Sequence, residues 1–167
     1  MSKDKYKIAL LGGRGYVGQE IIKLLNSHPL FDLSMAFSKS LAEKNVDGYI
    51  KNPNLKYTNL SLESLSLPDI DIVICALANG ESSVYIDKIE DIDDTIIIID
   101  IGSDYRFDDG WSYGIPEIHN ISKGTKRISN PGCYATAMQL AIAPLKGHIN
   151  SKVSCVGISG YSGAGST

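Results

Sequence analysis

Lys7-Ile8-Ala9-Leu10-Leu11-Gly12-Gly13-Arg14-Gly15-Tyr16-Val17-Gly18 is the stretch that decides the fold. Residues 7–11 form a short apolar run of the length of a buried parallel strand. Beyond the glycines, Val17, Ile21, Ile22, Leu24 and Leu25 recur at helical spacing, which predicts a helix over residues 16–26. The glycines fall between strand and helix as G-x-G-x-x-G at Gly13, Gly15 and Gly18. Gly13 is expected to permit the tight turn, Gly15 to let backbone approach a pyrophosphate, and Gly18 to let the helix pack closely on the sheet. A glycine-rich turn without a ligand is the plainer alternative. The strand–helix setting favours a dinucleotide site cradled by the amides of Arg14, Tyr16 and Val17.

Working outward, residues 32–37 read as a second strand that ends in Ser38-Lys39-Ser40. NAD-binding versions of this fold place an acidic residue here, on the ribose 2′-hydroxyl. This chain offers two hydroxyls and an ammonium, which suit a 2′-phosphate, so NADP is the expected cofactor. The alternative is a merely solvated Lys39. Residues 41–68 are polar, poorly periodic and broken by Gly48, Pro53 and Pro68, and no chemistry is assigned to them beyond a short strand at 56–58. Residues 70–77 are a strand. The turn 78–82 starts a helix at the carboxyl end of the sheet, where Asn79 is expected to face the cofactor. The β-branched run 95–100 is the clearest strand in the chain. Ser103, Asp104 and Arg106 follow it. Arg106 suits a bidentate phosphate or carboxylate contact, with an Asp104–Arg106 surface pair as the alternative.

Asn130-Pro131-Gly132-Cys133 opens another helix. Asn130 is expected as its N-cap, Pro131 as its first residue and 137–145 as its continuation. Cys133 then sits in the first turn, where unpaired N–H groups and the helix dipole favour a thiolate nucleophile. His119 is a conceivable base and Glu117 a conceivable partner, although a lone histidine is more often structural. Residues 153–158 alternate like a strand and 159–165 form a glycine-rich turn.

Composition is consistent with one ordinary globular domain: 167 residues, 43% hydrophobic, 21% charged, net charge -3. The charge argues against a general nucleic-acid binder. Three cysteines, Cys75, Cys133 and Cys155, with no C-x-x-C spacing, argue against a disulfide framework or zinc site and suit a reducing compartment. No stretch approaches the ~20 apolar residues of a membrane span. The charged N-terminus leads straight into a strand, so the expectation is a cytosolic protein or one whose targeting segment lies outside this sequence. The expected fold is α/β, a Rossmann-like doubly wound, mostly parallel sheet with helices on both faces.

Six segments carry a family resemblance: residues 12–20, 76–80, 100–107, 111–117, 129–136 and 157–165. In this order the chain resembles the N-acetyl-γ-glutamyl-phosphate reductases, and among them the fungal and slime-mould type. The Asn130-Pro131-Gly132-Cys133-Tyr134 segment is the most specific. Aspartate-semialdehyde dehydrogenases, with Asn-Pro-Asn-Cys there, are the runner-up, and a non-catalytic NADP-binding module is a third reading. The resemblance implies that Cys133 attacks an acyl phosphate and that NADPH reduces the resulting thioester. It implies cofactor contacts at Ser38, Lys39, Asn79, Ser162 and Gly163, and substrate contacts at Ser103 and Arg106. It also implies a homo-oligomer, a histidine acid/base downstream in a second domain, and, in a eukaryote, the mitochondrial matrix and a fused acetylglutamate kinase. No histidine follows His148. Residues 1–150 are accordingly expected to be the nucleotide-binding domain and 151–167 the first strand and turn of a catalytic domain, the piece alone being inactive.

Overall fold

The computed structural model describes residues 4–164. Among them, seven parallel strands form one sheet: β1 (Tyr6–Leu11), β2 (Phe31–Phe37), β3 (Tyr57–Thr58), β4 (Ile72–Cys75), β5 (Ile97–Asp100), β6 (Ser112–Tyr113) and β7 (Arg127–Ser129), in the order β3-β2-β1-β4-β5-β7-β6. The α-helices are α1 (Tyr16–Ser27), α2 (Ser82–Ile92) and α3 (Cys133–Ile142). The expected doubly wound sheet is present, with every strand pairing parallel. Beyond β1 the chain builds outward first through β2 and then, on the other side, through β4. The carboxyl edge of β1 is therefore a switch point, where this class of sheet opens a crevice.

Strand alternation divides the core between two faces. Ile8, Leu10 and Ile72 pack with Ile22 and Leu25 of α1 on one face. Ala9, Leu11, Val73, Cys75 and Ile98 pack with Tyr85, Ile86 and Ile89 of α2 on the other. Burial on both faces explains why β1, β4 and β5 read as unbroken apolar runs rather than alternating ones. The polar segment 41–68 adds Val46, Tyr49, Leu60, Leu65 and Leu67 to these cores. Its Tyr49 hydroxyl accepts the amide of Leu33 at 2.8 Å.

Three local expectations differ. The strand expected over 95–100 starts at Ile97, because the Thr95 amide and hydroxyl both donate to Asp93 Oδ1 (2.8 and 2.6 Å) and close an Asx turn first. Asn130 does not cap α3: its amide donates to Asp100 O at 2.7 Å, prolonging the β5–β7 pairing, and its side chain donates to Pro131 O. The chain needs two further residues to turn, so Gly132 is the N-cap and Cys133 the first helical residue. Pro144 then tightens the expected continuation into a 3₁₀ turn over Ala143–Leu145. Residues 153–158 are not a strand. They are exposed and have no β-partner among the described residues, and a strand without a neighbour has no ladder to stabilise it. A 3₁₀ turn over Tyr161–Ala164 follows.

Candidate active site

The glycine loop is built by backbone crowding. The left-handed residue is Gly12 (φ +84), not Gly13, and a Cβ at Gly12 would overlap the Ala76 carbonyl. A Cβ on Gly18 would lie 2.6 Å from Gly12 O, so the helix is seated directly on the loop. At Gly13 a Cβ would meet the Tyr57 ring at 2.8 Å. Gly13 backs the loop rather than lining the cleft: Gln19 Nε2 donates to Gly13 O at 2.7 Å and to the Tyr57 hydroxyl at 3.0 Å. Gly15 is the open position, its added Cβ meeting nothing closer than 3.8 Å. That leaves room for a ligand backbone to approach. Arg14, Tyr16, Val17 and Gly18 line the same space, and the first amides of α1 have no acceptor within the helix.

This space is one cleft of about 1370 Å³ running along the carboxyl edge of the sheet from Ser38 to Cys133. At the β2 end, Ser38 is buried, and its hydroxyl accepts the amide of Leu41 at 3.2 Å. Lys39 lines the cleft, largely exposed, with its Nζ 4.0 Å from Glu81 Oε2. At the β4 end, Asn79 lines the cleft while its Oδ1 accepts the Ser103 amide at 3.2 Å. Ser103 serves that contact and does not line the cleft.

The loop after β5 is held by its acids. Asp104 does not pair with Arg106. Its carboxylate accepts the amides of Gly80 (2.8 and 3.0 Å) and Ser82 (3.4 Å), where the start of α2 needs an acceptor. Asp100 is wholly buried; its Oδ1 accepts the Ser82 hydroxyl at 2.7 Å while Oδ2 has no partner. Burial pushes the Asp100 carboxyl above the ordinary aspartate range, against the hydrogen bonds from Ser82 and the Gly102 amide. Arg106 is thereby free to turn inward. Its Nε donates to Asn130 O and its Nη2 to Ile101 O, both at 3.1 Å. Its Nη1 lies against Gly132, 3.1 Å from where a Cβ would be. The guanidinium therefore buttresses the turn that presents Cys133.

Cys133 is exposed at the start of α3 and lines the cleft, as do Thr136, Glu117 and Gly163. It also lines a second groove of about 700 Å³ between α3 and residues 154–163. The side chain of Ser162 lies outside the described residues, as does Gly165. His119 does not line the cleft; its ring packs edge-on to Tyr113 at 5.7 Å. Cys75 is buried, which pushes its thiol up and leaves it inert. Among the described residues no acid, histidine or cysteine cluster fits a metal, and no helix is long and apolar enough to cross a membrane. Sequence reasoning missed Gln19, Tyr57, Glu81 and Asp100. Only Gln19 had a local signal, its position one residue past the last glycine of the fingerprint.

The family model described as "Semialdehyde dehydrogenase, NAD binding domain" matches residues 7–123, and "Semialdehyde dehydrogenase, dimerisation domain" matches 133–167. The N-acetyl-gamma-glutamyl-phosphate reductase of Xanthomonas axonopodis pv. citri is 44% identical, covering 100% of this chain and 54% of its own length. A mitochondrial protein of Candida albicans is 43% identical over 97% of this chain and 20% of its own length. The chain thus spans about half the length of the curated relatives it matches, or less. Two solved structures share the fold: aspartate semialdehyde dehydrogenase II of Vibrio cholerae (TM-score 0.70, 18% identity, 87% of this chain and 47% of that one). The other is the Candida albicans aspartate semialdehyde dehydrogenase with NADP (TM-score 0.62, 15% identity, 84% and 48%). On the extent of the NAD-binding match and the cleft that joins glycine loop to cysteine, the chain belongs to the semialdehyde dehydrogenase family.

Proposed function

We propose that the protein carrying this chain is an N-acetyl-γ-glutamyl-phosphate reductase of arginine biosynthesis, reducing N-acetyl-L-glutamyl 5-phosphate to the 5-semialdehyde with NADPH. The observation that carries this reading is the single cleft shared by the glycine loop and Cys133. The residues fit a dinucleotide: Gly15 leaves the space a pyrophosphate needs, and Lys39 and Ser38, which line the same cleft, would face the ribose. Gly15, Gly18 and the amides of Arg14, Tyr16 and Val17 would hold the phosphates, with Gly13 backing them. Asn79 and Gly163 would line the nicotinamide half, together with Ser162.

Cys133 supplies the nucleophile. Its sulfur attacks the acyl carbon, a C–S bond forms, and the C–O bond to phosphate breaks with the phosphate leaving as the anion. When bound, NADPH would supply a hydride for the thioester carbon; the C–S bond to Cys133 then breaks, releasing the semialdehyde and returning the cysteine as thiolate. Arg106 has two of its donors engaged on backbone carbonyls. It holds the Cys133 turn and offers its remaining N–H groups to the anionic substrate, while Ser103 acts through Asn79. The relatives' names and the Gly132 position favour this reductase over an aspartate-semialdehyde dehydrogenase. Residues 1–150 are read as the nucleotide domain and 151–167 as the entry to a catalytic domain. A homo-oligomer, a fused acetylglutamate kinase and, in a eukaryote, the mitochondrial matrix complete the proposal; the mitochondrial relative, much longer than this chain, is consistent with the last two.

The test is to express the complete protein and follow NADPH oxidation with N-acetylglutamyl phosphate and, separately, with aspartyl phosphate. Turnover with the first, lost in Cys133→Ser, is the expected result. Turnover confined to aspartyl phosphate, or unaffected by the substitution, would overturn it.

A further inference from the structure

Lys39 and Glu81 reach toward each other from opposite sides of β1. Lys39 follows β2 and Glu81 is the cap residue of α2 after β4, and these two strands flank β1 in the sheet. Their charged groups stand 4.0 Å apart. Both residues line the cleft that also contains Gly12, Arg14 and Gly15. The pair therefore links the two walls on either side of the glycine loop. Glu81 makes no side-chain cap contact with its own helix, so helix capping does not account for its carboxylate.

We propose that Glu81 is a specificity-determining residue for the dinucleotide: its carboxylate competes with a 2′-phosphate for the Lys39 ammonium. This rests on the NADP reading above. Both side chains are largely exposed (60% and 49%), so water screens the contact and an incoming phosphate can displace it. A dianionic phosphate that takes Lys39 must part it from Glu81 and then lies near a carboxylate left without its counter-charge. A dinucleotide with a free 2′-hydroxyl incurs neither cost. Glu81 thus narrows the margin by which the chain prefers a 2′-phosphorylated nucleotide.

The experiment is calorimetric titration of the complete protein with adenosine 2′,5′-bisphosphate and with 5′-AMP, which differ only in the 2′-phosphate. In Glu81→Gln the preference for the bisphosphate should widen by about two- to fivefold, the range of one exposed ion pair. The gain should shrink at high salt, and Glu81→Gln should do nothing in a Lys39→Gln background. A wild-type preference that Glu81→Gln leaves unchanged overturns this proposal and spares the NADP reading. A wild-type chain with no preference for the bisphosphate, including one that binds neither probe, overturns the NADP reading and this proposal with it. A gain from Glu81→Gln that persists without Lys39 assigns the effect to general charge and also overturns it.

Discussion

Helices α1 and α3 begin alike and end differently. Each is capped by a glycine in extended conformation, Gly15 (φ -64, ψ 163) and Gly132 (φ -67, ψ 155), with no side-chain cap hydrogen bond, and each turns its first residues toward the same cleft. Helix α1 then buries Gly18, Ile22 and Leu25 against the sheet, whereas α3 buries none of its ten residues. Their sequences differ accordingly. Lys23, Gln19 and Glu20 give α1 a polar side, whereas Cys133–Ile142 carries only Thr136 and Gln139 as strongly polar residues. A helix that is apolar on nearly all sides is suited to burial between layers. In this chain it is held by polar contacts: Arg106 on the Asn130 carbonyl before its first turn, Thr136 on the Gly132 carbonyl of its own cap, and Gln139 Nε2 donating to the Tyr113 hydroxyl at 3.3 Å. The glycine-loop end of the cleft is thus held by core packing and the Cys133 end by polar contacts.

The contrast is most sharply tested at the seat of α1. Gly12→Ala forces a left-handed alanine against the Ala76 carbonyl. It should cost about 3 kcal/mol or more in urea unfolding and abolish nucleotide binding. Near-native stability would mean that α1 does not depend on that close approach. Next in size, Ile22→Ala should cost about 2–4 kcal/mol as a buried truncation. Leu140→Ala on α3, where the leucine is 39% exposed, should cost less than about 1 kcal/mol. Equal losses in the two variants would erase the distinction between the helices.

The smallest effect is a pH dependence at Asp100. Its carboxyl is raised in the folded state by burial. Between the ordinary aspartate value, about 3.9, and its folded value, the native state holds the proton that the unfolded chain has lost. Its contribution to stability is therefore present below that window and falls as pH rises through it. Asp100→Asn keeps an acceptor for Ser82 but does not titrate. Measured from about pH 4 to about pH 7, its stability relative to wild type should climb with pH. A flat difference would remove Asp100 from the pH response.

The fold was legible where chemistry is local. The apolar run Lys7–Leu11, three spaced glycines and a helical repeat sit within twenty residues, and the sheet grew around them as that pattern requires. Cys133 was legible for the same reason, as a residue at a helix start. The cap of α3 is not legible in this way: Asn130, two residues before it, has the right side chain, while its amide donates to Asp100 O on a strand thirty residues away. An Asp104–Arg106 surface pair is equally compatible with the spacing, since sequence says nothing of the Gly80 and Ser82 amides that take Asp104. The alternation of 153–158 has no strand beside it among the described residues.

By itself the sequence determined the sheet class, the glycine turn after β1 and the place of Cys133 at a helix start, because each is written in contiguous residues whose backbone preferences and hydrophobic period act over a few positions. Only the tertiary structure decided that Gly12 rather than Gly13 takes the strained turn and that Tyr57 and Gln19 brace the loop. It also decided that Glu81 meets Lys39 and that Arg106 underlies Gly132. Those contacts join residues brought together by parallel crossovers, and no local propensity encodes which loop a crossover will bring opposite another.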